Sequence, residues 1–214
     1  MNGSKQTYTK VLIEPQLLPS LEYFAVLIQF DEVILDVHEH FVKQTFRNRC
    51  YILGPNKVLP LVIPVSKGSQ RLPLNEVAID YQQDWLNKFW ASVQSSYGKA
   101  PFFEFYSDQL KAILYKKQLL LHQLSIDLLT MCLTCLGIDI TLKHSINYEE
   151  HPTKGKLDLR SVIHPKRPFS ENMFLHPATY TQIFGNNFVP NLSIVDLLFC
   201  EGPNALTILK KSID

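Results

Sequence analysis

The chain has 214 residues, of which 46% are hydrophobic and 19% charged, and its formal net charge at neutral pH is +1. Plentiful apolar residues exclude a disordered chain, eight glycines and thirteen prolines without a period exclude a collagen-like one, and the near-neutral charge argues against nucleic acid as a partner. No apolar run approaches the roughly 20 residues of a membrane-spanning helix, so no transmembrane segment is expected. Met1 to Thr9 is polar and lacks the apolar core of a secretory signal, which makes the cytoplasm the default compartment.

In chain order, LysValLeuIle at 10–13 reads as a short strand, and Pro15 and Pro19 punctuate the turn after it. Ser20 is placed to cap an amphipathic helix over 21–29, and EVILDV at 32–37 reads as a second strand. Strand, helix and strand in under 40 residues predict a parallel βαβ unit. Residues 50–65 read as two strands around Gly54-Pro55-Asn56, and NEVAID at 75–80 alternates like a further strand. Trp85, Phe89 and Val93 recur at helical spacing, Gly98 and Pro101 punctuate, and a second helix follows. A third long helix, 117–136, stops at Gly137 and is apolar around most of its circumference, which predicts a central position. IDITL at 138–142 reads as a returning strand. From 143 to 174 periodicity is lost and a long loop is expected, after which Ser193 opens SIVDLLFCE and Pro203 a last helix. The expected class is α/β: an opening βαβ unit with a mixed sheet, followed by a helical bundle packed beside it. One domain is expected over 1–214, mainly sheet to 81, helical over 82–137 and loop-rich with terminal helices over 138–214.

Charge is uneven. Residues 1–39 carry a net −4, while residues 40–75 hold Lys43, Arg47, Arg49, Lys57, Lys67 and Arg71 and no acid. Either the acidic opening segment packs beside these cations or an anionic ligand does. Read as extended chain, FVKQTFRNRCYIL places Lys43, Arg47 and Arg49 on one face and Phe46, Cys50 and Ile52 on the other. Three cations so arranged suit a phosphate or carboxylate, with Asn48 adding an amide; a solvated polar face is the plainer reading. His38 and His40 flank Glu39 after the second strand. A pair of histidines without a third ligand assigns no metal, whereas a histidine at the carboxyl end of a strand in a βαβ crevice suits a general base. In 151–170, Lys154, Lys156, Arg160, Lys166 and Arg167 face only Asp158, with His164 among them: a second anion-contacting element or a basic loop. Cys132 and Cys135 form a C-x-x-C inside an apolar helical pattern, which reads as two small buried residues and not as a redox or zinc motif. Walker, GxGxxG, HExxH and Gly-x-Ser-x-Gly motifs are absent from the sequence, and no cofactor or oligomeric state is assigned.

The segments together resemble the WbqC-like family. The features are Gln16 in EPQLLPSLEYF, where Leu18 stands in place of the usual aromatic, and VHEHFVKQTFRNRCYI with Lys43, Arg47, Asn48 and Arg49. LVIPVSKG, Trp85 followed by SSYGKAPFFEFY, DLRSVIHPK and FVPNLSIVDLLFCEGPNA extend the likeness over nearly the whole chain. Some members of that family lie in gene clusters for O-antigen, the polysaccharide of lipopolysaccharide, and transfer of glycine to an amino sugar has been proposed for some. The resemblance therefore implies a transferase for a nucleotide-linked or lipid-linked amino sugar. Its catalytic candidates are His38, Glu39 and His164. Its candidates for binding an anionic substrate such as a nucleotide sugar are Gln16, Lys43, Arg47, Asn48, Arg49, Arg160 and Lys166, with Arg160, His164 and Lys166 as a lid. A nucleotide-binding or nucleotidyl-transferring enzyme and a non-catalytic assembly partner are the alternatives.

Overall fold

A computed structural model describes residues 8–152, 155–171 and 174–213. Two of its strands, β1 (Lys10–Ile13) and β2 (Glu32–Leu35), are parallel neighbours joined by α1 (Leu21–Leu27), as the βαβ reading predicts. Their KVLI and EVIL sequences are buried after the first residue, as suits central strands of a sheet covered on both faces. All seven residues of α1 are buried, and it packs against the C-terminal helix α6 (Ala205–Lys211). Leu21, Phe24 and Leu27 are fully enclosed, and each contributes about 1.5–3 kcal/mol by leaving water. Ser20 and Ser193 sit at helix N-cap positions without side-chain cap bonds; they form an antiparallel bridge, and the Ser193 hydroxyl donates to the Leu18 carbonyl at 2.7 Å.

Among the described residues the hairpin strands β3 (Arg49–Leu53) and β4 (Val58–Val62) pair only with each other, antiparallel. Three helices follow: α2 (Trp85–Tyr97), α3 (Phe103–Tyr115) and α4 (Leu121–Leu136). Trp85, Phe89 and Val93 face inward from α2, and α4 contacts both α3 and α5 (Ile194–Glu201). Gly137 ends α4 at φ 67°, a left-handed geometry that glycine adopts without the clash a Cβ brings. The main sheet is completed by β5 (Thr141–His144) beside β2 and β6 (Lys156–Asp158) beside β1, both parallel. Its order is β5-β2-β1-β6. The chain thus builds outward from β1 through β2 to β5, then crosses back to the opposite side of β1. The carboxyl ends of β1 and β6 flank the point where that direction reverses, the usual seat of ligands in open parallel sheets.

Several expectations are corrected. Residues 41–48 are turns, so Lys43 and Arg47 do not share a strand face with Arg49. NEVAID is a single 3-10 turn (Leu74–Glu76) followed by isolated bridges, Val65 to Ile79 and Ala78 to Leu120, because its backbone serves two neighbours in turn. The third helix begins at Leu121, four residues later than its pattern suggests, and the returning strand lies at 141–144. The expected loop over 143–174 contains β6, an edge strand of three residues with one apolar side chain, too short for a periodic signal.

Candidate functional site

The registers of the parallel strands align the residues just beyond them. Glu14 follows β1, Asp36 follows β2, Ser145 follows β5, and Arg160 stands two residues beyond β6. The Asp36 amide donates to the Ile13 carbonyl, the Ser145 amide to Leu35 and the Leu159 amide to Leu12. A row of polar side chains thereby crosses the carboxyl edge of the sheet, and it divides into two connected groups.

The first group is centred on His38. Asp36, which is buried, accepts the His38 amide at 2.9 Å and the Ser145 hydroxyl at 3.0 Å on Oδ1, and Arg160 Nη1 at 2.8 Å on Oδ2. The His38 Nδ1 lies 2.9 Å from Ser145 Oγ. Ser145 has one hydroxyl proton and gives it to Asp36, so Nδ1 must donate and Nε2 is the nitrogen with the free lone pair. Arg160 also donates to Asp158 through Nε and Nη2, and its guanidinium lies 5.2 Å from the Tyr148 ring centroid. These carboxylates raise its pKa, Asp158 first, while burial opposes them. Three of its five N–H groups go to these two carboxylates, so Arg160 ties the segment after β6 to Asp36.

The second group is buried around Arg47, 1% exposed. Its guanidinium donates to Glu39 Oε1 through both Nε, at 2.9 Å, and Nη2, and Nη2 also donates to Ser161 Oγ at 2.9 Å. Nη1 stands 3.9 Å from Glu14 Oε1. Glu14 accepts Gln16 Nε2 at 2.9 Å and the Ser161 amide at 2.8 Å. Gln16 Nε2 also donates to the Ile163 carbonyl at 3.2 Å, which fastens the segment after β6 to the turn after β1. Ser161 adopts φ 58°, a conformation uncommon outside glycine, and it is this backbone that turns its amide to Glu14 and its hydroxyl to Arg47. Burial lifts the Glu39 carboxyl to about 7 over the opposing pull of Arg47, and Glu14 adds to the rise. With both carboxylates ionised the group of three carries one net negative charge; a proton on Glu39 removes it. Burial, then Glu14, raise the Tyr23 phenol, which donates to the Glu14 carbonyl at 2.9 Å. Gln16 Oε1 and Arg47 Nη1 are buried without hydrogen-bond partners.

The acidic opening segment is thus what meets Arg47, and of the six cations over 40–75 it is the one with an ion pair among the described residues. The Asn48 amide nitrogen donates to the Ile63 carbonyl at 2.8 Å and holds the start of β3 to the end of β4, while its Oδ1 is buried without a hydrogen-bond partner. Lys43 is exposed in the turn whose Gln44 has φ 61°. Arg49 is half-buried in β3, and its Nε is buried without a partner. Lys166 is exposed, and Lys154 lies outside the described residues. His164 accepts the Lys166 amide on Nδ1 at 3.1 Å, which leaves Nε2 as its N–H donor when the ring is neutral. Burial depresses its pKa, and Arg167, Lys166 and Arg47 lower it further. His38 and His164 therefore present opposite chemistry, a lone pair and a proton.

His40 is exposed and its backbone bridges to Pro73; among the described residues no three histidine, cysteine or acidic side chains are placed to hold a metal ion. Cys132 is buried and Cys135 half-buried on α4, and both thiols are free, with pKa values raised by burial. Among the described residues no helix is long and apolar enough to cross a membrane.

Sequence reasoning missed Glu14, Ser145 and Ser161. The signal for Glu14 was present: KVLI-Glu14 and EVIL-Asp36 each put a carboxylate immediately after a buried strand.

The fold and this edge define an α/β protein whose parallel sheet carries carboxylates, arginines and histidine along its carboxyl edge. The chain belongs to the WbqC-like protein family, whose model matches residues 14–167 and 169–208. It is also similar to "uncharacterized protein Rv1507c" of Mycobacterium tuberculosis (strain ATCC 25618 / H37Rv), 27% identical over 225 residues that cover 93% of this chain and 96% of that protein. No solved structure matches.

Proposed function

We propose that the chain is an acyltransferase that joins an activated acyl group, glycyl in the first instance, to the amine of a nucleotide-linked or lipid-linked amino sugar in surface-polysaccharide (O-antigen) assembly. The observation that carries this reading is His38. Its Nδ1 is committed through Ser145 to Asp36, so its Nε2 lone pair stands at the carboxyl edge of the sheet. Membership of the WbqC-like family points the same way.

In this reading the sugar amine attacks the carbonyl carbon of the donor. A C–N bond forms and the amine proton passes to His38 Nε2. The imidazolium is stabilised by Asp36 through one hydroxyl. The bond from carbonyl carbon to the donor's leaving oxygen or sulfur then breaks, and that atom takes the proton from Nε2, which returns the histidine to its neutral form. Lys43, Arg49 and Lys166, which form no ion pairs among the described residues, would contact the diphosphate. Gln16, Glu39, Arg47 and Asn48 form the frame beneath, and His164 donates from the neighbouring segment.

The test is to incubate the chain with a glycyl thioester or ester and UDP-linked amino sugars and to follow the sugar by mass spectrometry. Gain of one glycyl unit, lost in His38→Ala, is the expected result; a His38→Ala variant as active as wild type contradicts the role. The strand order also suits a nucleotidyl-transferring enzyme, which would instead release pyrophosphate from a nucleoside triphosphate with magnesium.

A further inference from the structure

Beside the Arg47 group a cleft of about 250 Å3 opens between the hairpin, the segment after β6 and the segment before α5. Phe46, Tyr51, His164, Arg167, Phe169 and Asn191 are among its lining side chains. Phe46 and Tyr51 meet edge to face, with ring centroids 5.9 Å apart and planes at 88°. Phe46 is 8% exposed and backs the half-buried Tyr51, which is the ring left open to the cleft. Asn191, held at φ 55°, accepts the Glu22 amide at 2.9 Å on Oδ1 and donates from Nδ2 to Glu22 Oε2 at 3.3 Å. One N–H and one lone pair of its amide remain, the complement of a base edge. Glu22 also lines the cleft, buried behind that amide.

Positive charge stands at the other side. Arg167 is exposed on the cleft with no ion pair among the described residues, and His164 offers its Nε2–H. Arg49 shares the outward face of β3 with Tyr51 by strand alternation, and its buried Nε has no partner. We infer that this cleft holds the nucleoside end of a nucleoside diphosphate, its base against Tyr51 and within reach of the Asn191 amide, its phosphates toward Arg167, His164 and Arg49. Two dimensions fit. A volume of 250 Å3 lies below the roughly 300–1,000 Å3 of pockets that enclose whole drug-sized ligands, so it suits one ring system with its ribose and leaves the sugar outside. His164 follows β6 and His38 follows β2, with β1 between them, so the two strands are about 10 Å apart at roughly 4.8 Å per step. A diphosphate and a pyranose span that order of length, so a sugar held from this cleft would extend along the sheet edge toward the His38 side. This inference rests on the transferase reading and names its substrate as nucleotide-linked.

The test is calorimetric titration of the full chain with UDP, GDP, dTDP and pyrophosphate, together with wild-type cross-linking to 5-iodo-UDP. At least one nucleoside diphosphate is expected to bind, pyrophosphate at least tenfold more weakly. Tyr51→Ala should weaken binding about tenfold, as loss of a stacked base does, Arg167→Ala should weaken it at least as much, and Lys88→Ala, outside the cleft lining, should not. The cross-link should fall on Tyr51 or Phe46, which needs no variant to fold. Absence of binding by all three nucleotides, equal binding of pyrophosphate, undiminished binding by both cleft variants, or an adduct elsewhere overturns the cleft assignment. Nucleotide binding here without acyl transfer would sink the transferase reading and leave the cleft. Transfer to a lipid-linked sugar without nucleotide binding would do the reverse.

Discussion

His38 and His164 stand beyond strands of the same sheet, yet their surroundings fix them for different work. At His38 the Nδ1–H donates to a serine oxygen whose own proton is already given to a carboxylate, so the outward nitrogen is basic. At His164 a backbone N–H occupies Nδ1, so the outward nitrogen carries the proton. Nearby cations reinforce the second case by opposing imidazolium. The identity of a residue therefore does not settle its role; the direction of one hydrogen bond does. The same contrast separates Arg47 from Arg49. The first is buried between two glutamates and serves the frame, while the second has a buried Nε left over for something else.

The largest expected effect breaks the His38 side alone. His38→Ala should lower the rate of acyl transfer by about 10²–10⁴, the usual contribution of a positioned general base, with melting temperature little changed. If His164→Ala has the same effect on turnover, the two histidines are not distinct. Arg47→Met attacks the frame: it strands Glu14 and Glu39 without their cation and should cost about 3–5 kcal/mol in urea unfolding. A cost below about 1 kcal/mol would mean that the buried pair is not the clamp described here.

Glu39 sharpens the electrostatic part. Its folded pKa is raised, so the stabilisation tied to its proton is full below its unfolded value and is lost as pH rises through about 7. That slope amounts to about 3 kcal/mol over the interval. Glu39→Gln should flatten the wild-type decline in urea midpoint over that range, and an unchanged decline would place the proton elsewhere. The smallest effect is at Ser145. Ser145→Ala frees the His38 tautomer and should lower kcat about tenfold with KM held, and change the pH–rate profile on its basic-group limb. Ser145→Thr, which keeps the hydroxyl, should restore much of it.

Much of the fold was legible because local rules and packing agree there. The KVLI and EVIL strands are apolar enough to announce burial, the Trp85, Phe89, Val93 stripe has one period, and Gly137 ends its helix by the conformation glycine prefers. Failures arose where tertiary structure overrides local pattern. The KQTFRNR segment alternates like a strand, but the turn at Gln44 and the pull of Glu39 on Arg47 fold it inward. The edge strand β6 is stabilised by β1 and not by its own KLD sequence. At the site, Gln16, Glu39 and Arg47 could be singled out, but only topology joins Gln16 to Ile163 or His38 to Ser145, pairs separated by more than a hundred residues.

The most direct test of the central claim is the tautomeric state of the two histidines by 15N-resolved NMR of the imidazole nitrogens at about pH 8, above the ordinary histidine range. Protonated Nδ1 with a bare Nε2 at His38, and the reverse at His164, is the expected result. The same tautomer at both sites, or a protonated Nε2 at His38, would contradict the base assignment.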